Sequence, residues 1–245
     1  MRVIRDASIL LGAAGAVLEP ADILETAQPG FALIEFPDGT VIALGAATRV
    51  MVSRTPQAGS EIFLLEGWLK AQSRNSASTY SLSSQAQSVG WKDVSLIAHA
   101  RAAAGEVFVE SGSPSVGQTD KRGRPAGMQS AKPGQFVMRN GDKPPVSQAR
   151  PSAEFLSVMP GAFKDALPAR LDRFKDRSVE AKSAGPVTYA DVADWLSAPQ
   201  NWRAGFVKRF EPRLADPKFR QQLDAGLKNH PEWERILHPP PVKRP

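Results

Sequence analysis

The sequence predicts an α+β protein arranged by segments. An N-terminal all-β unit, a β-roll or solenoid-like stack of short strands with a β-sandwich as the alternative, precedes a small helical C-terminal unit. Three observations carry this. Between about residues 7 and 110 the apolar residues come in runs of three to six, separated by Gly, Pro, Asn or Ser, as short strands require. After residue 150 the period changes to helical. The 21 prolines among 245 residues imply many reversals and some extended linker.

Taken in order, Arg2 and Arg5 precede the apolar run from Ala7 to Leu18, the layout of a signal peptide. Asp6 interrupts the basic part and Glu19-Pro20-Ala21-Asp22-Ile23-Leu24 continues it as folded chain, so a structured beginning is expected; a form whose export signal is absent would look the same. Strands are expected at Phe31–Phe36, Val41–Leu44, Arg49–Ser53, Glu61–Leu65, Trp68–Ala71, Ser78–Leu82, Val94–Ala98 and Glu106–Glu110. Pro37-Asp38-Gly39 marks a tight hairpin, because Pro presets φ and Gly39 accepts a positive one. Glu66-Gly67 is expected to reverse the chain a second time. Residues 111–134 have almost nothing to bury and read as an exposed, mobile loop. One further strand, Gly134–Arg139, closes the β unit, which is set at residues 1–145.

Residues 146–186 read as a linker with short helices, in which Phe155, Met159 and Phe163 keep a four-residue spacing. The helical unit is set at 187–245. Thr188 and Asp191 form a capping box ahead of Val192, Trp195 and Leu196. Trp202, Phe206 and Phe210 mark a second helix, and Asp216-Pro217 starts a third that buries Phe219, Leu223 and Leu227. Pro231 opens a last turn, and the Pro-rich tail His238–Pro245 is expected to be extended.

Composition and motifs narrow the function. The absence of cysteine excludes disulfides, Cys-ligated metals and thiol nucleophiles. No apolar run is long enough to span a bilayer. His99, His230 and His238 have no evident partners, and no nucleophile elbow, metalloprotease helix, phosphate loop or dinucleotide fingerprint occurs. Glu35 and Asp38 are the nearest thing to a carboxylate pair, but Glu35 should face solvent and Asp38 should serve the turn. No enzyme, catalytic residue, metal or cofactor is therefore expected.

The net charge of +6 is uneven: from residue 164 onward 16 Lys and Arg face 11 Asp and Glu. Candidate binding residues are the basic set Arg203, Lys208, Arg209 and Arg213, the loop cations Lys121, Arg122 and Arg124, and Trp68 and Trp91 as aromatic platforms for sugars. Each has a structural alternative, as core aromatic or solvated helix face.

The β segment resembles the FecR-type domain of bacterial envelope proteins. The likeness rests on Gly30-Phe31-Ala32-Leu33-Ile34-Glu35-Phe36-Pro37-Asp38-Gly39-Thr40-Val41-Ile42-Ala43-Leu44, an apolar strand, an Asp-Gly turn and a second apolar strand. Ile23-Leu24-Glu25-Thr26, Leu65-Glu66-Gly67-Trp68-Leu69, Val107 to Gly112 and Pro133-Gly134-Gln135 extend it over roughly residues 18 to 140. The resemblance implies a periplasmic or cell-surface address and binding rather than catalysis. Known members include membrane-anchored anti-sigma regulators; neither their sigma-binding segment nor their membrane helix is recognisable in this sequence. The function expected is therefore an extracytoplasmic scaffold or protein-binding module that docks on another envelope protein. The alternatives are a glycan or peptidoglycan module touching anionic polysaccharide, a signalling regulator of the FecR type and, least favoured, a nucleic-acid binder using the basic helices.

Overall fold

The computed structural model describes residues 1–55, 59–74, 76–174 and 179–240. Among them the strands are β1 Arg2–Arg5, β2 Ser8–Leu11, β3 Asp22–Glu25, β4 Ala32–Glu35, β5 Val41–Leu44, β6 Arg49–Thr55, β7 Gly59–Ser73 and β8 Tyr80–Ser83. They continue with β9 Gln87–Trp91, β10 Val94–Arg101, β11 Ala104–Gly112, β12 Ser115–Thr119, β13 Pro125–Ser130, β14 Phe136–Asn140, β15 Val146–Gln148 and β16 Lys182–Pro186. The helices are α1 Ala153–Val158, α2 Tyr189–Leu196, α3 Phe206–Phe210, α4 Pro217–Ala225 and α5 Glu234–Leu237.

All these strands connect into one open, mixed sheet that folds over on itself through β7. The first half of β7 pairs with β6 and β8 in a layer ordered β13-β12-β9-β8-β7-β6-β3-β1-β2-β16. Its second half pairs with β5 and β10 in another layer, which β4, β11, β14 and β15 complete. A β-solenoid stacks successive coils in parallel register. Among the described strands only β7 and β8 pair in parallel, so the solenoid-like expectation gives way to facing layers, as in the sandwich alternative.

Glu66-Gly67 does not reverse the chain. The pairing with β6 slips between Arg49 and Val50, so that Leu65 bulges out of register, and Gly67 takes φ +97°. A Cβ on Gly67 would lie 2.4 Å from Thr48 Oγ1 and 2.6 Å from Thr48 Cα. Only glycine lets β7 cross from one layer to the other here.

The bulge also shifts which residues face inward. Ile62 and Leu64 before it, and Leu69 and Ala71 after it, join the same central core as Leu24, Val50, Leu96 and Val109. The outer faces are apolar too. Ile4, Ile23, Met51, Phe63 and Leu65 form one core with Val187, Trp195, Trp202, Phe210, Phe219 and Trp233, so the helices share their interior with the first layer. Val41, Ala43, Trp68, Ile97 and Phe136 form another with Phe155, Phe163 and Leu167, so residues 153–171 lie across the second layer as a strap.

Polar anchors fasten both covers. Lys70, 2% exposed, pairs with Glu110 at 2.8 Å and donates to the carbonyls of Phe163 (2.7 Å) and Asp165 (3.0 Å) on the strap. Gln72 Oε1 accepts from the Leu167 amide at 2.9 Å. On the helical side the capping box forms: the amide and hydroxyl of Thr188 donate to Asp191 at 2.8 and 2.6 Å, and Arg2 on β1 reaches the other carboxylate oxygen at 2.5 Å. Burial pushes the Asp191 carboxyl up, but the bonds from Thr188 and Arg2 outweigh it and hold it below its usual value. Asp216 caps α4 by accepting from the Lys218 and Phe219 amides, as the Asp-Pro signal predicts.

One further expectation is corrected. Residues 111–134 are not a loose loop: β12 and β13 form a hairpin on β9, and its tip docks on the helical unit, with the Asn201 side-chain amide donating to the Gly123 carbonyl at 2.7 Å. The N-terminal apolar run supplies β2, in line with the structured beginning expected there. The end of the tail expected to be extended lies outside the described residues.

Candidate functional site

On the second layer a cleft of about 680 Å³ opens over Trp68. Register builds it. Trp68 on β7 stands opposite His99 on β10, and His99 stands opposite Glu106 on β11. Facing positions on neighbouring strands bring side chains into contact. The Trp68 and His99 rings therefore stack with centroids 3.8 Å apart and planes 9° apart, and His99 Nδ1 lies 2.9 Å from Glu106 Oε2. The walls are the 28–31 loop, Gly45–Ala47, Glu66-Gly67, Ala100–Ala102 and the strap at Val158 and Pro160–Ala162.

Two apolar side chains stand unusually open at this cleft: Phe31 is 47% exposed and Val158 57%. Phe31 rests edge-on against Phe163, with centroids 6.5 Å apart, so the strap fixes its position. Glu66 and Arg101, both more than half exposed, supply opposite charges at the rim.

The chemistry available is limited. The structure pairs His99 with Glu106 and His238 with Asp224, pairings the sequence did not reveal, and sets His230 Nε2 against the Leu223 carbonyl. A carboxylate-oriented imidazole can serve as a base, but among the described residues the cleft lining contains no Ser, Thr, Tyr, Lys or Cys for it to activate. Among the described residues no group of three His, Cys, Asp or Glu is placed to hold a metal. Glu35, half-buried rather than freely solvated, accepts the Arg170 and Leu171 amides at 2.7 Å and ties down the strap. Asp38 accepts from Ser76 Oγ at 2.6 Å, Tyr80 at 2.8 Å and the Thr40 amide at 3.1 Å. Burial raises its pKa, but those bonds overcome it and hold the carboxyl below its usual value, suited to a hairpin anchor rather than a proton donor.

The basic set does not form an open face. Arg203 pairs with Glu232 and is 11% exposed. Arg209 donates to the carbonyls of Asp6 (2.9 Å), Ala21 (2.7 Å) and Ile4 (2.6 Å), clamping α3 to the ends of β1 and β3. Burial lowers its pKa to about 10, against the attraction of Asp6 and Asp22, so it stays charged at neutral pH. Arg213 holds the Val187 carbonyl and Asp216. Only Lys208 of the four is exposed. The physical reason is that backbone carbonyls and carboxylates from elsewhere in the chain already engage the guanidinium donors. Lys121, Arg122 and Arg124 are placed at the β12–β13 tip, where Arg124 pairs with Asp120. Trp91 is buried against Tyr80, with ring centroids 5.8 Å apart, and Trp68, 9% exposed, is stacked on His99 and packed against Phe155, so neither ring presents an open face to a sugar. Phe31 and Val158 were not singled out by sequence, because an exposed apolar residue beside a strand or helix reads the same as a buried one.

Comparison with known proteins finds a family whose model matches part of the chain. The family described as FecR protein matches residues 22–113, the stretch from β3 to the end of β11 that builds most of the cleft. Two crystal structures of a "putative anti-sigma factor" from Parabacteroides distasonis ATCC 8503, at 1.65 and 2.50 Å, match at 16% identity with a TM-score of 0.45. The matches cover 55% of this chain and 62% of the solved chains, so the chain spans less than two thirds of their length. No curated protein matches. No helix among the described residues is long and apolar enough to cross a membrane.

Proposed function

We propose that this chain, whose residues 22–113 match the FecR family, is an extracytoplasmic signalling regulator that acts by binding another protein rather than by catalysis. The observation that carries the proposal is the cleft over Trp68. It is built largely from FecR residues and rimmed by the open side chains Phe31 and Val158. An apolar rim with a few charges at its edge has the composition of a protein contact. The regulator is preferred to the passive scaffold because the family match supports signalling, and to the glycan module because the tryptophans are covered. The envelope address rests on the same family match.

The test is a strain lacking the protein, complemented with the wild type or with Phe31→Asp/Val158→Asp at equal protein level, and compared by transcript sequencing. A discrete transcript set should change on deletion, recover with the wild type and fail to recover with the double variant. Unchanged transcripts on deletion would overturn the signalling role, and full recovery by the variant would remove the cleft as the contact.

A further inference from the structure

Among the described strands, each layer ends in two edges: β13 and β16 in the first, β4 and β15 in the second. An edge strand presents a row of backbone donors and acceptors that another chain can pair with, and natural sheets blunt it with proline, bulges, charge or shortness. Three of these edges are blunted. β13 begins at Pro125, and its register slips opposite Val116 and Gln118, where Gly127 takes φ +60°. β15 is three residues long and follows Pro144-Pro145. β16 carries Lys182 and Pro186 at its ends and slips register at Gly185.

β4 has none of these devices. It reads Ala32-Leu33-Ile34-Glu35, without Pro, Gly or a cation, and pairs with β5 in unbroken register. The Phe36 amide donates to the Thr40 carbonyl at 2.9 Å across the turn. By the alternation of an antiparallel ladder Ile34 and Ala32 also bond toward β5, while Glu35 and Leu33 aim their amides and carbonyls away from it. β5 gives the same answer. The Gly45 amide reaches the Trp68 carbonyl on β7, so Ala43 and Val41, opposite Leu33 and Glu35, bond toward β7. The strap takes the Glu35 carboxylate, but among the described residues nothing bonds the backbone of Leu33 or Glu35 from the outer side.

An open strand edge selects its occupant by chemistry, because an extended polypeptide supplies amides and carbonyls at the spacing the ladder needs. The place is equally specific. Exposed Phe31, immediately before β4, leans on Phe163 of the strap at the wall of the Trp68 cleft, and Leu33 packs on the same outer face. A strand laid along β4 therefore sets alternate side chains beside Leu33 and Phe31 and meets the cleft at its end. We propose that the partner adds an extended strand to β4, its backbone bonding the amides and carbonyls of Leu33 and Glu35 and an apolar side chain packing beside Phe31. This rests on the reading of the Trp68 cleft as a protein contact and says how the partner is held there.

The experiment has two arms. In the purified full chain, amide exchange followed by NMR should be fast at Leu33 and Glu35 and slow at Ala32 and Ile34. Equal protection of all four would overturn the open edge. In the native cell, a photoreactive phenylalanine analogue at Phe31 is carried by the wild type, Leu33→Ala and Leu33→Pro. Proline removes a single N–H, and an outward N–H is not part of the sheet, so Leu33→Pro should melt like Leu33→Ala. Leu33→Ala should keep the protein adduct, and Leu33→Pro should lose it about tenfold or more, as the loss of one backbone bond at a crowded edge requires. A Leu33→Pro protein that melts far below Leu33→Ala would show that this amide bonds within the sheet and would overturn the assignment. An undiminished adduct in Leu33→Pro would overturn strand addition and leave the cleft contact standing. An adduct made of two copies of this chain would overturn a separate partner, and no adduct even in the wild type would remove the cleft contact and the proposal with it.

Discussion

The two covers of the β layers are held in different ways. The helical side is an aromatic core: Trp195, Trp202, Trp233, Phe206, Phe210 and Phe219 are all buried and pack directly on Ile4, Ile23, Met51 and Phe63. The strap has three apolar plugs, Phe155, Phe163 and Leu167, and depends on side chains reaching up from the sheet to its backbone: Lys70, Gln72 and Glu35. Hydrophobic packing is non-directional and adds up over area, whereas a few directed bonds fix a segment in place without making it deep. The helical cover should therefore unfold only with the sheet. The strap should open locally, which is a useful property for the wall of a contact cleft.

The largest expected effect tests the aromatic side. Trp233→Ala removes a fully buried side chain and should cost about 3–5 kcal/mol, with strands and helices lost in a single transition on chemical denaturation. Separate transitions would show that the helices fold independently of the first layer. Lys70→Met keeps the stem but leaves the Phe163 and Asp165 carbonyls without their donor and Glu110 with Ser95 alone, and should cost about 2 kcal/mol. Hydrogen exchange should rise in residues 161–167 well before it rises in β10. Uniform acceleration throughout would contradict a strap that opens locally.

The arginine clamps on the helical side sharpen the same contrast. Arg209→Glu would set a carboxylate against three carbonyls and should cost about 2–4 kcal/mol, whereas Lys208→Glu, one residue away and exposed, should stay within about 0.5 kcal/mol. Equal melting temperatures for the two would mean that Arg209 is not a clamp. Gly39→Val tests the β4–β5 turn: φ is +82° and a Cβ at this position would meet nothing within 4 Å, so conformational strain alone should cost about 1 kcal/mol.

Much of this organisation was legible in the sequence where chemistry is local. The Asp-Gly hairpin, the Thr188/Asp191 cap and the Asp216-Pro217 helix start depend on residues within four positions of one another, and all three stand where the residues put them. What depends on distant partners was not legible. Glu66-Gly67 has the residues of a turn, yet glycine serves a layer crossing equally well, and only the approach of Thr48 distinguishes them. The arginines at 203, 209 and 213 have the spacing of a solvated helix face, but Glu232 and the carbonyls of Ile4, Ala21 and Val187 arrive from elsewhere in the chain. At the candidate site, the Trp68–His99–Glu106 ladder follows from strand register, which no single segment encodes.

The smallest effect is a pH dependence at Glu61. Its pKa is raised in the folded state, so its contribution to stability is fully present below its unfolded value, near 4.5, and is lost as the pH climbs through the raised folded value. Glu61→Gln should therefore be slightly more stable than the wild type at pH 7, by less than about 0.5 kcal/mol, and the gap should close in acid. A gap that widens in acid would mean that the carboxylate has a partner.

The proposed role turns on whether the Trp68 cleft is a protein contact. The most direct measurement is photo-crosslinking in the native cell, with a photoreactive phenylalanine analogue at Phe31 and, as control, at the similarly exposed Val146 on β15. A regulator acting through the cleft gives one discrete protein adduct from position 31 and none from position 146, and the adduct disappears when Val158→Asp is added. No adduct at position 31, or the same adducts from both positions, would contradict it.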